Sequence, residues 1–446
     1  MSGSLRRTLL LAAVLLPVLS GCAIADWLDD KEKPPLPGER VSVLSLESQL
    51  EPDPRIADLR VRLPKPWLNP EWPQSGGYPS HAMYHLDLAS NLTEVWKVSI
   101  GASTDSDQVI VAQPVVADGR LYAMDARTRV SAFDAQTGAS IWQTNLYPKG
   151  EDKGIIGGGV AYDRGTLFVT TGYGEIIALE AQSAKELWRS KIDLPFRSAP
   201  TVDGSRVFAT TTENQAYAFD RDTGRQVWSH AGIAEQAEFV GGANPAAEAG
   251  TVVVPYSSGE LYALRGDTGA VAWTDTLTRA SRFSPIGTIA DIRGRPVIDR
   301  GTVMAISHAG RMVAIDQRTG ERLWEQDIAG IQQPWPAGDF VYVVTTDAEV
   351  VCLWRRDGRI RWVSQLDRWK NPESKRDKGL IVWQGPVLAG DRLIMVSSER
   401  KAVTLSPYTG ELLGEIKLSG AAATSPLVAN GMLYILTDDA YILALR

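Results

Sequence analysis

One spacing recurs along this chain and limits what it can fold into. Six segments place a proline 28 residues before one recurrent position: Pro114/Trp142, Pro200/Trp228, Pro245/Trp273, Pro296/Trp324, Pro334/Trp362 and Pro386/Gly414. A seventh, Val160/Trp188, keeps the spacing without the proline. Each runs through a short apolar stretch, a glycine turn and two alternating stretches, and most carry a Thr-Gly pair four residues before the recurrent position, clearest in SAPTVDGSRVFATTTENQAYAFDRDTGRQVW. Thr137-Gly138, Thr223-Gly224, Thr268-Gly269, Thr319-Gly320 and Thr409-Gly410 hold that offset, with Asp357-Gly358 as a variant. Alternation of period two, bounded by turn residues, reads as strands. Trp-to-Trp intervals of 46, 46, 40, 45, 51 and 38, then 52 to Gly414, have the length of a propeller blade of three or four strands. No Trp-Asp dipeptide occurs, which disfavours a WD40 array.

The two ends set the blade count. TSPLVANGMLYILTDDAYILALR starts its repeat at Pro426 and stops at Arg446, one strand short. ASNLTEVWKVSI places a Trp-bearing strand, around Trp96, ahead of any blade. Joining them closes an eighth blade and removes the unpaired edges of an open array. The expected fold is all-β: one eight-bladed β-propeller over residues 81–446, its last blade closed by an N-terminal strand. Glycine in each Thr-Gly turn takes positive φ at little cost, and each Trp is expected to wedge between neighbouring blades.

The beginning of the chain reads as an address. Arg6 and Arg7 precede an apolar run from Leu9 to Leu19, so residues 1–21 are expected to be a signal peptide, too short to span a bilayer stably. Leu19-Ser20-Gly21-Cys22 resembles the lipobox of bacterial lipoproteins, which implies acylation of Cys22. Ala23, where an Asp would retain such a lipoprotein at the inner membrane, implies outer-membrane sorting. Residues 22–80 are polar and proline-rich and are expected to form the acylated N-terminus and an extended tether. A net charge of −7 over 446 residues gives no basic field, which argues against nucleic acid as a partner. Two cysteines, Cys22 and Cys352, exclude a disulfide framework. Cys352, in VVCLW, is expected to be a buried, inert thiol.

AFDAQTGASIW, AFDRDTGRQVW and AIDQRTGERLW share AxDxxTGxxxW, which resembles the repeat of pyrroloquinoline-quinone-type propellers. With the lipobox and eight repeats, the chain from Cys22 onward resembles the BamB family, lipoproteins of the outer-membrane β-barrel assembly machinery. The resemblance implies a non-catalytic scaffold, lipid-anchored to the outer membrane and facing the periplasm. Its implied partners are the POTRA domains of a BamA-like barrel protein, other lipoproteins of the machinery, and unfolded outer-membrane proteins. In that family a Leu-x-Leu-Arg stretch before the third repeat's Ser-Ala-Pro contacts a POTRA domain. Here Leu194, Phe196 and Arg197 match it by chemical type, ahead of Ser198-Ala199-Pro200. An exposed Phe196 beside Arg197 is the expected anchor. The family's Asp-x-Asp patch before a proline corresponds to Asp291-Ile292-Arg293 before Pro296, with Arg293 reversing one charge.

The same repeat serves quinone-dependent dehydrogenases, the alternative reading, and an envelope sugar- or peptide-binding propeller is a third. A dehydrogenase of that type would need a cofactor pocket, a catalytic Asp and a calcium held by carboxylate and amide oxygens. Glu175, Asn214 and Asp291 are candidate oxygens without a local signature, so no catalytic residue, cofactor or metal site is assigned. His81 and His85 stand four apart, and a turn-capping or solvated role is expected of them. Gly157-Gly158-Gly159 and Gly241-Gly242 lack GxxxxGK[ST] and are expected to permit tight reversals at blade entries. The basic stretch DRWKNPESKRDKG, residues 367–379, is expected to be a solvated loop.

Overall fold

The computed structural model describes residues 50–148, 150, 156–235, 241–278, 290–374 and 376–446. The expected signal peptide, Cys22 and residues 23–49 of the expected tether lie outside the described residues. In the unit from Leu50 to Arg446, the strands form eight antiparallel four-stranded sheets, the blades. Their innermost strands, from blade 1 to blade 8, are Val115–Ala117, Gly158–Asp163, Thr201–Asp203, Ala246–Glu248, Val297–Asp299, Trp335–Ala337, Trp383–Ala389 and Leu427–Ala429. Blade 8 is completed by Glu94–Ser99 pairing with Tyr441–Leu445, Trp96 opposite Ala444 and Ser99 opposite Tyr441. The expected closure by an N-terminal strand holds. The inner three strands of each blade are largely buried on both sides, because blades stack face to face. Outermost strands such as Ser140–Asn145 and Leu412–Lys417 alternate with water.

The Trp positions bind blade to blade. Trp142, Trp188, Trp228, Trp273, Trp324 and Trp362 donate Nε1 to the carbonyls of Ala181, Arg221, Gly266, Gln317, Arg355 and Pro407 in the following blade, at 2.7–3.2 Å. The indoles of Trp188 and Trp228 cover Gly224 and Gly269 of the next Thr-Gly turn, where both glycines have φ near +70°. A Cβ there would collide with the ring, so position and conformation both select glycine. Opposite each Trp in its own blade sits a small residue: Ala132, Ala178, Ala218, Ala263 and Ala314, with Cys352 opposite Trp362. Cys352 is thus a space-matched residue under an indole, and burial pushes its thiol pKa well up, as expected of an inert thiol. Gly414 replaces the Trp in blade 7 for a topological reason. The blade that follows has no Thr-Gly turn to cover, since its third and fourth strands come from opposite ends of the chain.

Residues 50–80 do not form the free tether their composition suggests. Asp53 N donates to Ile360 O at 2.8 Å and Arg361 Nε to Leu59 O at 2.8 Å, so the segment first runs along the outer strand of blade 6. Continuing through residues 81–86, it then enters the central channel and touches the inner strand of every blade in turn. Asn69 Nδ2 donates to Val428 O in blade 8 (2.9 Å), and Trp72 exchanges two backbone bonds with Val116 in blade 1 (2.7 and 2.9 Å). Pro73 O accepts from Tyr162 N in blade 2, and the Gln74 amide pairs with both backbone groups of Val202 in blade 3. Pro79 O and Ser80 O accept from Ala247 N and Ile298 N in blades 4 and 5, and Tyr84 O from Trp335 Nε1 in blade 6. Leu86 closes the circuit with Leu388 O and Gly390 N in blade 7. The inner strands would otherwise present unpaired polar edges to the channel. An extended chain with few internal hydrogen bonds is suited to satisfy them.

Candidate functional site

Two faces follow from the strand order. The hairpin face carries the turns between first and second strands and the Thr-Gly turns. The entry face carries the connections from one blade to the next. Both candidate docking stretches lie on the entry face, residues 192–200 leading into blade 3 and 290–296 into blade 5.

The structure joins these two stretches through an ion pair. Arg197 Nη2 lies 3.1 Å from both Asp291 carboxylate oxygens, with side-chain exposures of 4% and 0%. Arg197 Nη2 also approaches Gly241 O at 3.4 Å, and any side chain at Gly242 would collide with the guanidinium. The Gly241-Gly242 pair therefore makes room for Arg197, beyond the chain reversal expected of it. Gly157 and Gly159 likewise leave room for the Phe196 carbonyl and for Ala199. The expected exposure of Phe196 is corrected: it is 0% exposed, set edge-on against Tyr217 and Phe219 in the core of blade 3. Arg197 N bonds Thr210 O at 3.0 Å, extending the pairing that turns Phe196 inward. Leu194 and Arg293 are half-buried and are the members of the expected set that reach the surface. Burial, offset by Asp291 and reinforced by Arg197, pushes the Arg293 guanidinium pKa down.

Deeper in the channel, Arg295 donates to Asn244 Oδ1 at 2.8 Å and to Ser75 Oγ at 2.6 Å. Asn244 Nδ2 in turn approaches His81 Nε2 at 3.0 Å, while His81 Nδ1 meets Pro296 O at 2.7 Å. The amide donor at Nε2 fixes the tautomer, with Nδ1–H donating to the carbonyl. His81 and His85 are both buried, correcting the solvated role expected of them, while His85 Nε2 accepts from Asp391 N at 3.1 Å and so caps the turn after Ala389. Burial depresses the His81 pKa to about 3 from 6.5. The unfolded chain takes up this proton first, so stability is lost as pH falls from 6.5 towards 3, by about 1.4 kcal/mol per pH unit. His81→Asn keeps a donor for Pro296 O and suits the φ of 62° at this site. Denaturant midpoints from pH 7 to 4 should fall less steeply for this variant than for the parent. Parallel slopes would refute the assignment.

The calcium-ligand candidates are each engaged inside the fold. Glu175 pairs with Arg189 at 2.6 Å, Asn214 Oδ1 accepts from Ser257 N and Oγ at 2.9 Å, and Asp291 holds Arg197. Between residues 69–86 and the inner strands, the cavity lined by Trp72, Gln113, Arg295, Gln333, Trp335 and Pro386 measures about 10 Å³. That is the scale of one water, against several hundred Å³ for a cofactor pocket. Residues 367–374 and 376–379 are mostly exposed, as expected of a solvated loop, and are tied by a short backbone ladder and a ring. Lys370 N and Asn371 N bond Gly379 O and Lys378 O at 2.9 Å, and Arg368 and Lys378 cover the Trp369 ring at 4.9 and 5.6 Å.

Comparison with known proteins adds the following. The sequence model of the family described as outer membrane protein assembly factor BamB matches residues 126–364 and 366–446. A model described as the β-propeller domain of glucose/ethanol/alcohol dehydrogenases matches residues 85–164. The outer membrane protein assembly factor BamB of Salmonella typhimurium is 25% identical over 358 residues, covering 79% of this chain and 88% of that protein. The crystal structure of BamB from Moraxella catarrhalis superposes with a TM-score of 0.67 at 24% identity, covering 80% of this chain and all of that one. Quinohemoprotein alcohol dehydrogenase from Comamonas testosteroni superposes at 0.63 with 15% identity, covering 84% of this chain and 80% of that one. At these identities the two structural likenesses show the fold alone.

Proposed function

The chain belongs to the family of outer membrane protein assembly factor BamB, and on that premise we propose that it is a non-catalytic scaffold lipoprotein of the machinery that assembles β-barrel proteins. In this reading Cys22 carries the lipid anchor and the propeller faces the periplasm. The entry face docks on the POTRA domains of a BamA-like barrel protein beside the machinery's other lipoproteins, and unfolded outer-membrane proteins are its clients. The observation that carries the reading is the meeting of the two family docking stretches on one face, cross-linked by Arg197 and Asp291. Leu194 and Arg293 then make the contact, while Phe196, Arg197 and Asp291 hold the loops that present them.

The dehydrogenase reading draws on the match over residues 85–164 and on the shared fold. Against it stands residues 69–86 filling the channel that a redox ring would enter. Affinity capture of the intact protein from envelope membranes tests the scaffold. Leu194→Glu combined with Arg293→Gln, which removes the contact without placing a second acid beside Asp291, should reduce recovery of a BamA-like protein at least tenfold while lowering the melting temperature by no more than a few degrees. Undiminished recovery by the double variant would overturn the docking face.

A further inference from the structure

Blades 2 to 5 end their inner strands on an acid: Asp163, Asp203, Glu248 and Asp299. The equivalent residue is Ala117, Ala337, Ala389 or Ala429 in the other four blades, each facing the first residue of the second strand. A second position is equally well defined, by the carbonyl that receives the preceding blade's Trp Nε1. For these four acids it is Arg221, Gly266, Gln317 and Arg355 respectively.

At two of the four, this second residue is an arginine that reaches back to the acid. Arg221 places Nε 2.6 Å from Asp163 Oδ2 and Nη2 3.0 Å from Asp163 O, over the Phe168 ring at 5.6 Å. Arg355 makes the same two contacts, Nη1 to Asp299 Oδ2 and Nη2 to Asp299 O. At the third, Gln317 Nε2 donates to Glu248 O at 3.2 Å. At the fourth, Gly266 has no side chain to extend, and the hairpin face opens there into a groove of about 880 Å³ walled by Asp203, Phe208 and Gly266. Phe208 stands two residues beyond the partner of Asp203, as Phe168 does beyond that of Asp163.

Among the described residues no hydrogen bond or ion pair reaches the Asp203 carboxylate. Burial, with Asp163 beside it, raises its pKa above the usual range. Arg206 and Arg265 at the rim are matched to Asp220 and Asp267. We propose that this groove binds an arginine side chain of a partner protein, its guanidinium spanning the carboxylate and carbonyl of Asp203 over Phe208 as Arg221 does at Asp163. The two-point contact and the ring below favour a planar guanidinium over an ammonium. The site lies on the face opposite Leu194 and Arg293 and does not rest on the docking role given to them.

The probe is N-acetyl-arginine amide, titrated into the full-length protein and followed by ligand-observed NMR, with the lysine analogue and a Gly-Gly-Arg-Gly-Gly peptide in parallel. Arginine amide should bind at least tenfold more tightly than lysine amide, and the peptide at least as tightly as the amide. Asp203→Asn should weaken both by tenfold or more. Gly266→Arg should abolish binding and raise the melting temperature, because the new side chain occupies the site in cis. Gly266 lies outside the positive-φ region, and a Cβ there meets Phe208 Cζ and Gly250 O at 3.3 and 3.4 Å, a shift of a few tenths of an ångström. Equal binding of the two amides, or full binding by Gly266→Arg, would overturn the site. Binding of the amide without the peptide would overturn the protein partner.

Discussion

Deleting residues 50–80, with the segment before Leu50 and the strand at Glu94–Ser99 kept, is expected to destroy cooperative unfolding rather than to shorten a leash. From Asn69 to Ser80 the segment supplies hydrogen bonds to the inner strands of blades 8, 1, 2, 3, 4 and 5. These are buried backbone groups with nothing else described to satisfy them, and each lost bond costs about 1 kcal/mol or more. Trp72, 1% exposed and stacked on Trp335 at a centroid distance of 6.3 Å, adds about 3–5 kcal/mol on removal. The total reaches the roughly 5–15 kcal/mol by which a whole domain is stable. Circular dichroism melts should show a broad, low-temperature transition for this deletion. A melting temperature within a few degrees of the parent would mean that the channel segment contributes nothing to the ring.

The contrast between this segment and the blades shows what a sequence can and cannot carry. Gly224 and Trp188 are legible because one geometry demands each of them: positive φ under an indole, and an indole over a glycine. Their fixed offset survives insertions elsewhere, so the blades and the closure at Trp96 could be read directly. Ala184 shows the limit of the signal, since it holds φ 60° where the other turns have glycine and so breaks the motif without breaking the turn. Residues 64–80 look like a tether because prolines keep the chain extended, and extended it is as far as Gln74, where turns at 74–77 and 78–81 bend it round the channel. Composition does not distinguish an extended chain in water from one whose partners lie around a channel wall. The density of Trp67, Leu68 and Trp72 was the available cue, since solvated linkers are poor in aromatics. Phe196 misled for a different reason. Its type fits an interface anchor and a core residue equally, and only its pairing with Thr211 turns it inward.

Arg197→Met should cost about 3 kcal/mol, and Asp291→Leu a similar amount, while the double variant should recover most of the loss. The single changes leave one charge in a site where the partner side chains are 4% and 0% exposed. Stranding a buried charge in this way typically costs about 3–5 kcal/mol, whereas replacing both members by apolar side chains is close to neutral. Arg293, whose charge acts on Asp291, holds the Arg197→Met cost at the lower end of that range. A double-mutant cycle read from denaturant midpoints at constant slope gives the coupling directly, about 2 kcal/mol or more. Additive losses would mean that the pair does not fasten the two loops. The cycle also decides how docking experiments must be read. A single charge reversal at Arg197 disturbs the entry loops of blades 3 and 5 together, so loss of a partner after that change reports on loop placement. The apolar double variant keeps the loops filled and removes only the fastening. If it melts like the parent and captures less of the partner, Arg197 and Asp291 are positioning residues, and Leu194 and Arg293 carry the contact itself.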